Sequence, residues 1–261
     1  MRGDTLLACW LREAGVECVF GVVGIPVVEL ASECQKVGIR FYSFHNEQTA
    51  SYAAATYGYL TGKPGICLCV SGPGVVHSLA GVAHASINKW PMLLLGGSHK
   101  TTENYRGAFQ EAPLTHSQMT TAFTKSTYSP SSPTHLRYCL TRALTTAVSG
   151  SPGPCYIELP ENLLVGAVPF QDFGVPLQSL YPAPRPAPTD SPSAPYAALL
   201  KAHPPGLDTD PCLSPTLPGV PVTLPEPAAV AAAARTIARA QRPLVVVGKG
   251  ACFSGAEGYL R

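Results

Sequence analysis

Short apolar runs alternate along residues 1–165 with segments whose apolar positions recur every three or four residues. The runs Cys18 to Val23, Ile39 to Phe44, Gly65 to Val70, Pro91 to Leu95, Phe123 to Tyr128 and Cys155 to Leu159 read as strands, rich in β-branched, aromatic or continuous apolar residues. Thr5 to Ala14, Val27 to Lys36, Glu47 to Leu60, the segment from Ser71-Gly72-Pro73-Gly74 to about Asn88, and Pro133 to Val148 read as helices. Gly65 to Val70 has no polar alternation, the pattern of a strand covered on both faces. Such alternation predicts an α/β fold: a doubly wound, parallel, six-stranded sheet with helices on both faces. Right-handed crossovers bring the carboxyl ends of the strands to one edge, where such sheets bind ligands.

The pattern breaks at Gly174. From there to Pro227, fifteen of 54 residues are proline, against twelve in the rest of the chain. Proline at that density forbids regular helices and central strands. The segment 174–227 therefore reads as a disordered or polyproline-like linker, with a PxxP ligand as the alternative. Ala228 to Gln241 is again helix-forming, and Leu244-Val245-Val246-Val247 reads as a buried strand entering the turn Gly248-Lys249-Gly250. The organisation expected is a domain over 1–165, the linker, and over 228–261 the start of a second α/β domain.

Composition narrows the function classes. Hydrophobic residues make up 46% of the chain, charged residues 13%, about half the usual share, and the formal charge is +2. No basic surface for nucleic acid is implied. The apolar runs are too short to span a bilayer, and the N-terminus reads as an amphipathic helix, not a signal peptide. The nine cysteines contain no CxxC pair, which points to a reducing, intracellular setting. Cys67 and Cys69 alternate within one strand and are expected to share a face as small buried hydrophobes.

Candidate chemistry collects in the loops after the strands. Gly24-Ile25-Pro26 follows the first, His45-Asn46-Glu47-Gln48 the second, Ser71-Gly72-Pro73-Gly74 the third, and Gly107-Ala108-Phe109-Gln110-Glu111 comes after the fourth. Singly, each motif has an ordinary reading. Glu47 is then a first-turn acid favoured by the helix dipole, Gly-Pro-Gly a turn, and Phe109 and Gln110 loop residues. His77, one turn into the helix after Gly74, reads alone as a packed histidine. Ala50, Ala53 and Ala54 give the helix after Glu47 a face that permits close packing.

In this order and spacing the four loops resemble the pyrimidine-binding domain of thiamine-diphosphate-dependent enzymes. The resemblance covers residues 4 to about 165 and resumes near 228. It implies that Glu47 hydrogen-bonds N1′ of the cofactor's aminopyrimidine, favouring the imino tautomer that removes the thiazolium C2 proton. It places Pro26 and Gly74 beside the cofactor, and Phe109 and Gln110 near the reacting carbon, Gln110 offering a neutral hydrogen bond. Within the superfamily the sequence looks like the 2-hydroxyacyl-CoA lyases, which cleave their substrate to an aldehyde and formyl-CoA. Oxalyl-CoA decarboxylases and acetolactate synthases are the alternatives.

In this family Mg²⁺ and the cofactor's diphosphate are held by a Gly-Asp-Gly motif in a separate C-terminal domain. The sequence contains no Gly-Asp-Gly, and Gly248-Lys249-Gly250 lacks the acid a metal needs. With Phe at position 253 that turn also fails the dinucleotide fingerprint. The expectation is an N-terminal part, inactive alone, whose metal site lies outside this chain; a non-catalytic truncated isoform or faulty gene model is the other reading. The resemblance further implies an acyl-CoA substrate, a homodimer or homotetramer for the complete enzyme, and a peroxisomal setting, otherwise a cytoplasmic one. The final Tyr259-Leu260-Arg261 is not a Ser-Lys-Leu address.

Overall fold

Six strands pair in parallel: β1 (Cys18–Val22), β2 (Arg40–Ser43), β3 (Gly65–Cys69), β4 (Met92–Ser98), β5 (Ser126–Tyr128) and β6 (Pro154–Pro160). Their order across the sheet is β2-β1-β3-β4-β6-β5. The computed structural model behind this description covers residues 1–101, 115–168 and 225–253. Between the strands run α1 (Gly3–Glu13), α2 (Val28–Lys36), α3 (Glu47–Thr61), α4 (Pro73–Asn88), α5 (His116–Thr121) and α6 (Pro133–Val148), with α7 (Glu161–Val165) closing the unit. The doubly wound parallel sheet expected from the sequence is the observed fold.

The two faces of β3 explain the layering. Ile66 and Leu68 join Leu93 and Leu95 in one apolar layer under α1, α2 and α6, where Leu7, Leu11, Leu30, Cys34, Leu140 and Leu144 are buried. Cys67 and Cys69 point the other way, joining Leu94, Ala50, Ala54, Val75 and Val82 in a second layer under α3 and α4. A strand covered on both sides has no polar alternation to spare. The second layer is built from small residues, so its two helices lie close together. A Cβ on Gly81 of α4 would come within 2.2 Å of the Ser51 hydroxyl on α3.

Strand order carries the functional information. The chain runs from β1 outward to β2, then returns past β1 to lay down β3 on its other side. The carboxyl ends of β1, β2 and β3 thus meet where the winding direction reverses, the crevice in which open α/β sheets bind ligands. The loops containing Pro26, Glu47 and Gly74 leave the sheet here.

Some predicted elements differ. β4 continues through Gly96-Gly97-Ser98, where the sequence suggested an end. Crowding accounts for glycine there: a Cβ on Gly96 would lie 2.7 Å from Val75 and 2.8 Å from the Tyr156 hydroxyl. α5 and α7 were not expected; both are short. The predicted strand Leu244 to Val247 is not one: among the described residues no strand pairs with it, and Leu244 and Val246 are 88% and 86% exposed. A β-rich sequence becomes a strand only against partners. Before it runs α8 (Pro227–Arg239), none of whose residues is buried. After it comes the short helix α9 (Lys249–Phe253), in place of the expected glycine turn. The Lys249 ammonium donates to the Ile87 carbonyl and to Asn88 Oδ1, both at 3.1 Å. Nearly all of the proposed linker, 174–227, lies outside the described residues. Among the described residues no helix is long and apolar enough to cross a membrane.

Candidate active site at the switch point

Glu47 is the first residue of α3, but it does not cap it. The Asn46 side chain does, accepting from the Thr49 N–H at 3.2 Å. The Glu47 carboxylate is left for other work. Its Oε2 lies 3.2 Å from Nδ1 of His77, which stands one turn into α4. The Glu47 side chain is 14% exposed and that of His77 60%, so the acid is largely shielded while its partner reaches solvent.

The third loop brings backbone, not side chain, to the acid. Val70 and Ser71 follow β3, and Gly72 then turns the chain into α4 with φ 63 and ψ −119. That region is essentially closed to residues with a Cβ. One residue on, Pro73 starts the helix, where its missing N–H costs nothing. Gly74 faces Glu47: a Cβ there would lie 3.5 Å from Oε1 of Glu47 and collide with Val70 Cγ1 at 2.6 Å. Gly24 packs on the other methyl of Val70, at 3.3 Å from its would-be Cβ. Pro26 sits over the end of β4, where a Cβ on Gly97 would meet its Cδ at 2.8 Å.

The structure thus brings Glu47 and Gly74 together and puts Pro26 on the same sheet edge. Phe109 and Gln110 lie outside the described residues. His77 departs from its reading as a packed histidine: it is exposed and paired with Glu47. Beneath the acid, Cys67 and Cys69 share the buried face expected of them, sulfurs 3.6 Å apart. Hydrogen bonding to Cys69, then burial, then the charge of Glu47 hold the Cys67 thiol well above its ordinary range.

A second cluster, absent from the sequence reading, supports the turn from behind. The Gly72 N–H donates to Nε2 of His116 at 3.1 Å. Nδ1 of His116 lies 3.5 Å from Oε1 of Glu158, a loose ion-pair contact, and the Ser129 hydroxyl donates to Oε2 of the same carboxylate at 2.8 Å. Both His116 and Glu158 are buried. Burial pushes the Glu158 carboxyl up, but the His116 ring, the Ser129 hydroxyl and the charge of His99 outweigh it and hold the carboxyl below its usual range.

A shielded acid at a helix start, facing a glycine where a side chain would fill the space, fits the pyrimidine end of thiamine diphosphate: a flat ring with a nitrogen for the acid. Among the described residues no group of three or more His, Cys, Asp and Glu could hold a metal ion.

Comparison with known proteins agrees with this geometry. Residues 1–119 match the family model described as thiamine pyrophosphate enzyme, N-terminal TPP binding domain. Over 257 residues the chain is 35% identical to 2-hydroxyacyl-CoA lyase 1 of Homo sapiens, covering 98% of this chain and 38% of that protein. It is 40% identical over 255 residues to the 2-hydroxyacyl-CoA lyase of Oryza sativa, covering 98% of this chain and 39% of the relative. Oxalyl-CoA decarboxylase of Escherichia coli K12 is 33% identical over 253 residues, 96% of this chain and 38% of that enzyme. The chain therefore spans less than two-fifths of the length of the relatives it matches. Residues 1–119 belong to the thiamine pyrophosphate enzyme family as its N-terminal TPP binding domain.

Proposed function

We propose that this chain forms the pyrimidine-binding part of a thiamine-diphosphate-dependent carbon–carbon lyase that cleaves 2-hydroxyacyl-CoA to an aldehyde and formyl-CoA. The observation that carries the proposal is Glu47, shielded at the switch point opposite Gly74 and paired with His77. The names and identities of the relatives support a CoA-thioester substrate of this kind. When bound, thiamine diphosphate supplies the nucleophilic carbon that makes such cleavage possible. The protein's part is to hold a proton at the right atom. Glu47 would meet the ring nitrogen N1′ with its carboxyl group, which is largely shielded at the start of α3 and faces His77. Gly74 leaves room for the ring beside Oε1. Pro26, over the end of β4, bounds the crevice on that side, and Phe109 and Gln110 are assigned to the reacting end of the substrate.

The diphosphate and Mg²⁺ are assigned to a separate domain, so the chain alone is expected to be inactive. Pairing of such domains between subunits makes the complete enzyme a homodimer or homotetramer, and the resemblance assigns it to the peroxisome.

A chimera tests the reading. Residues 1–168 replace the corresponding part of a 2-hydroxyacyl-CoA lyase relative, and the folded product is assayed with Mg²⁺ and thiamine diphosphate. Formyl-CoA from 2-hydroxyacyl-CoA is expected, with no turnover by the 261-residue chain by itself. Turnover of oxalyl-CoA alone, or of pyruvate alone, would reassign the reaction. A folded chimera without any of the three activities would contradict the proposal.

A further inference from the structure

We propose that His116, held by Glu158, is a positioning residue that sets the Ser71–Gly74 turn and through it the placement of Glu47; the link to catalysis rests on the proposed role of Glu47. The argument begins with one proton. A backbone N–H only donates, so Nε2 of His116, 3.1 Å from the Gly72 nitrogen, must present its lone pair. The ring proton of the neutral imidazole is then on Nδ1, facing Glu158 Oε1 at 3.5 Å. Glu158 is fixed in turn by the Ser129 hydroxyl at 2.8 Å. Gly72 donates into the ring, while among the described residues Nδ1 makes no hydrogen bond and only faces the carboxylate at ion-pair distance. The groups around it come from separate elements: Glu158 from β6, His99 from the end of β4, and Ser129 from the segment after β5. Buried this deeply, with Nε2 accepting from Gly72 and Nδ1 beside a carboxylate, the imidazole is held in a single tautomer and orientation.

What the ring holds is a turn that backbone preference alone does not determine. Gly72 has many conformations open to it, and this one places Gly74 against Val70 and within reach of Glu47. If Gly72 shifts, Gly74 and the start of α4 shift with it, and His77 rides on the same helical turn. His116 thus acts on Glu47 through the backbone, without touching it.

The test uses the intact 261-residue chain, labelled with ¹⁵N and read by NMR. His116 should show a one-bond N–H coupling at Nδ1 and none at Nε2. His116→Phe removes the acceptor and should speed exchange of the Gly72 amide by about tenfold or more, the effect of losing one buried hydrogen bond. His116→Gln, whose amide can accept from Gly72 and donate to Glu158, should restore most of the protection. The signature a merely structural residue would not give is at His77. In His116→Phe its ring ¹⁵N shifts should move toward those it has in Glu47→Gln, as expected if the 3.2 Å contact with Glu47 is lost. A proton on Nε2, or unchanged His77 ring shifts once the Gly72 amide exchanges freely, would overturn the proposal. Should His116→Phe fail to fold, Glu158→Gln is read by the same two signals: faster Gly72 exchange with displaced His77 ring shifts supports it, and neither change refutes it. These readouts need no cofactor, so they stand or fall apart from the chemistry assigned to Glu47.

Discussion

Buried thiols in this fold titrate above their ordinary values and the Glu158 carboxyl below its own. Burial pushes Cys9 and Cys18 up to about 11 and Cys34 to about 12. At pH 8 these groups are thiols, which are poor nucleophiles. We expect none of the seven buried cysteines, from Cys9 to Cys155, to react with iodoacetamide in the native chain at pH 8 on the timescale that labels all of them in urea, as read by peptide mass mapping. Rapid native labelling of Cys34 or Cys67 would contradict the packing described. For Glu158 the sign is reversed. Its folded value lies below the ordinary 4.5, so its contribution to stability is present above that pH and fades as pH falls through the folded value. The difference in urea midpoint between the native chain and Glu158→Gln should therefore shrink below about pH 4.5. A difference constant from pH 7 to 3 would mean that the carboxylate's charge is not what Ser129 and His116 hold. Glu47 was legible only in company: alone it reads as an ordinary first-turn acid, and the order of the four loops is what marks it. The His116–Glu158 cluster was not: His116 is 44 residues from its Gly72 partner, and no spacing rule joins them. His77 was visible but looked ordinary, since only the meeting of two helix starts pairs it with Glu47.

Helices α3 and α4 touch along small residues, and that contact sets the distance between Glu47 and His77. A methyl group on Gly81 would press on the Ser51 backbone carbonyl carbon at 2.6 Å as well as on its hydroxyl. Backbone cannot swing aside as a side chain can. Gly81→Ala should therefore cost about 1–3 kcal/mol, the usual range for overpacking, despite the gain in helix propensity. Urea denaturation measures it through the midpoint at constant slope; a neutral or stabilising result would show that the helices are looser than described. At this scale the pattern of apolar positions was informative for long elements. α6 runs over Pro133–Val148, as read from its periodicity. Short pieces were missed for a physical reason. α5 has six residues, too few for a period to register, although the Thr115–Gln118 capping box was a usable signal. Leu244 to Val247 erred in the other direction, because four apolar residues say that a segment could pair, not that a partner is there.

Across the whole molecule, the winding of the sheet is what makes three loops distant in sequence into one site. The strand-helix alternation made the fold class legible, and parallel pairing followed from it. The reversal between β1 and β3 is a property of strand order, which alternation alone does not specify. The central claim is that the acid at this reversal handles the cofactor's proton. The most direct measurement is exchange of the thiamine diphosphate C2 proton for deuterium, followed by NMR after acid quench, in the active chimera and its Glu47→Gln variant. Gln is nearly the same size, so folding should survive, but its amide cannot exchange a proton with N1′. General acid–base groups are typically worth about 10²–10⁴-fold, and a loss of that order is expected with cofactor still bound. Unchanged exchange in a folded, cofactor-loaded Glu47→Gln variant would contradict the account and leave Glu47 as an acid that only begins a helix.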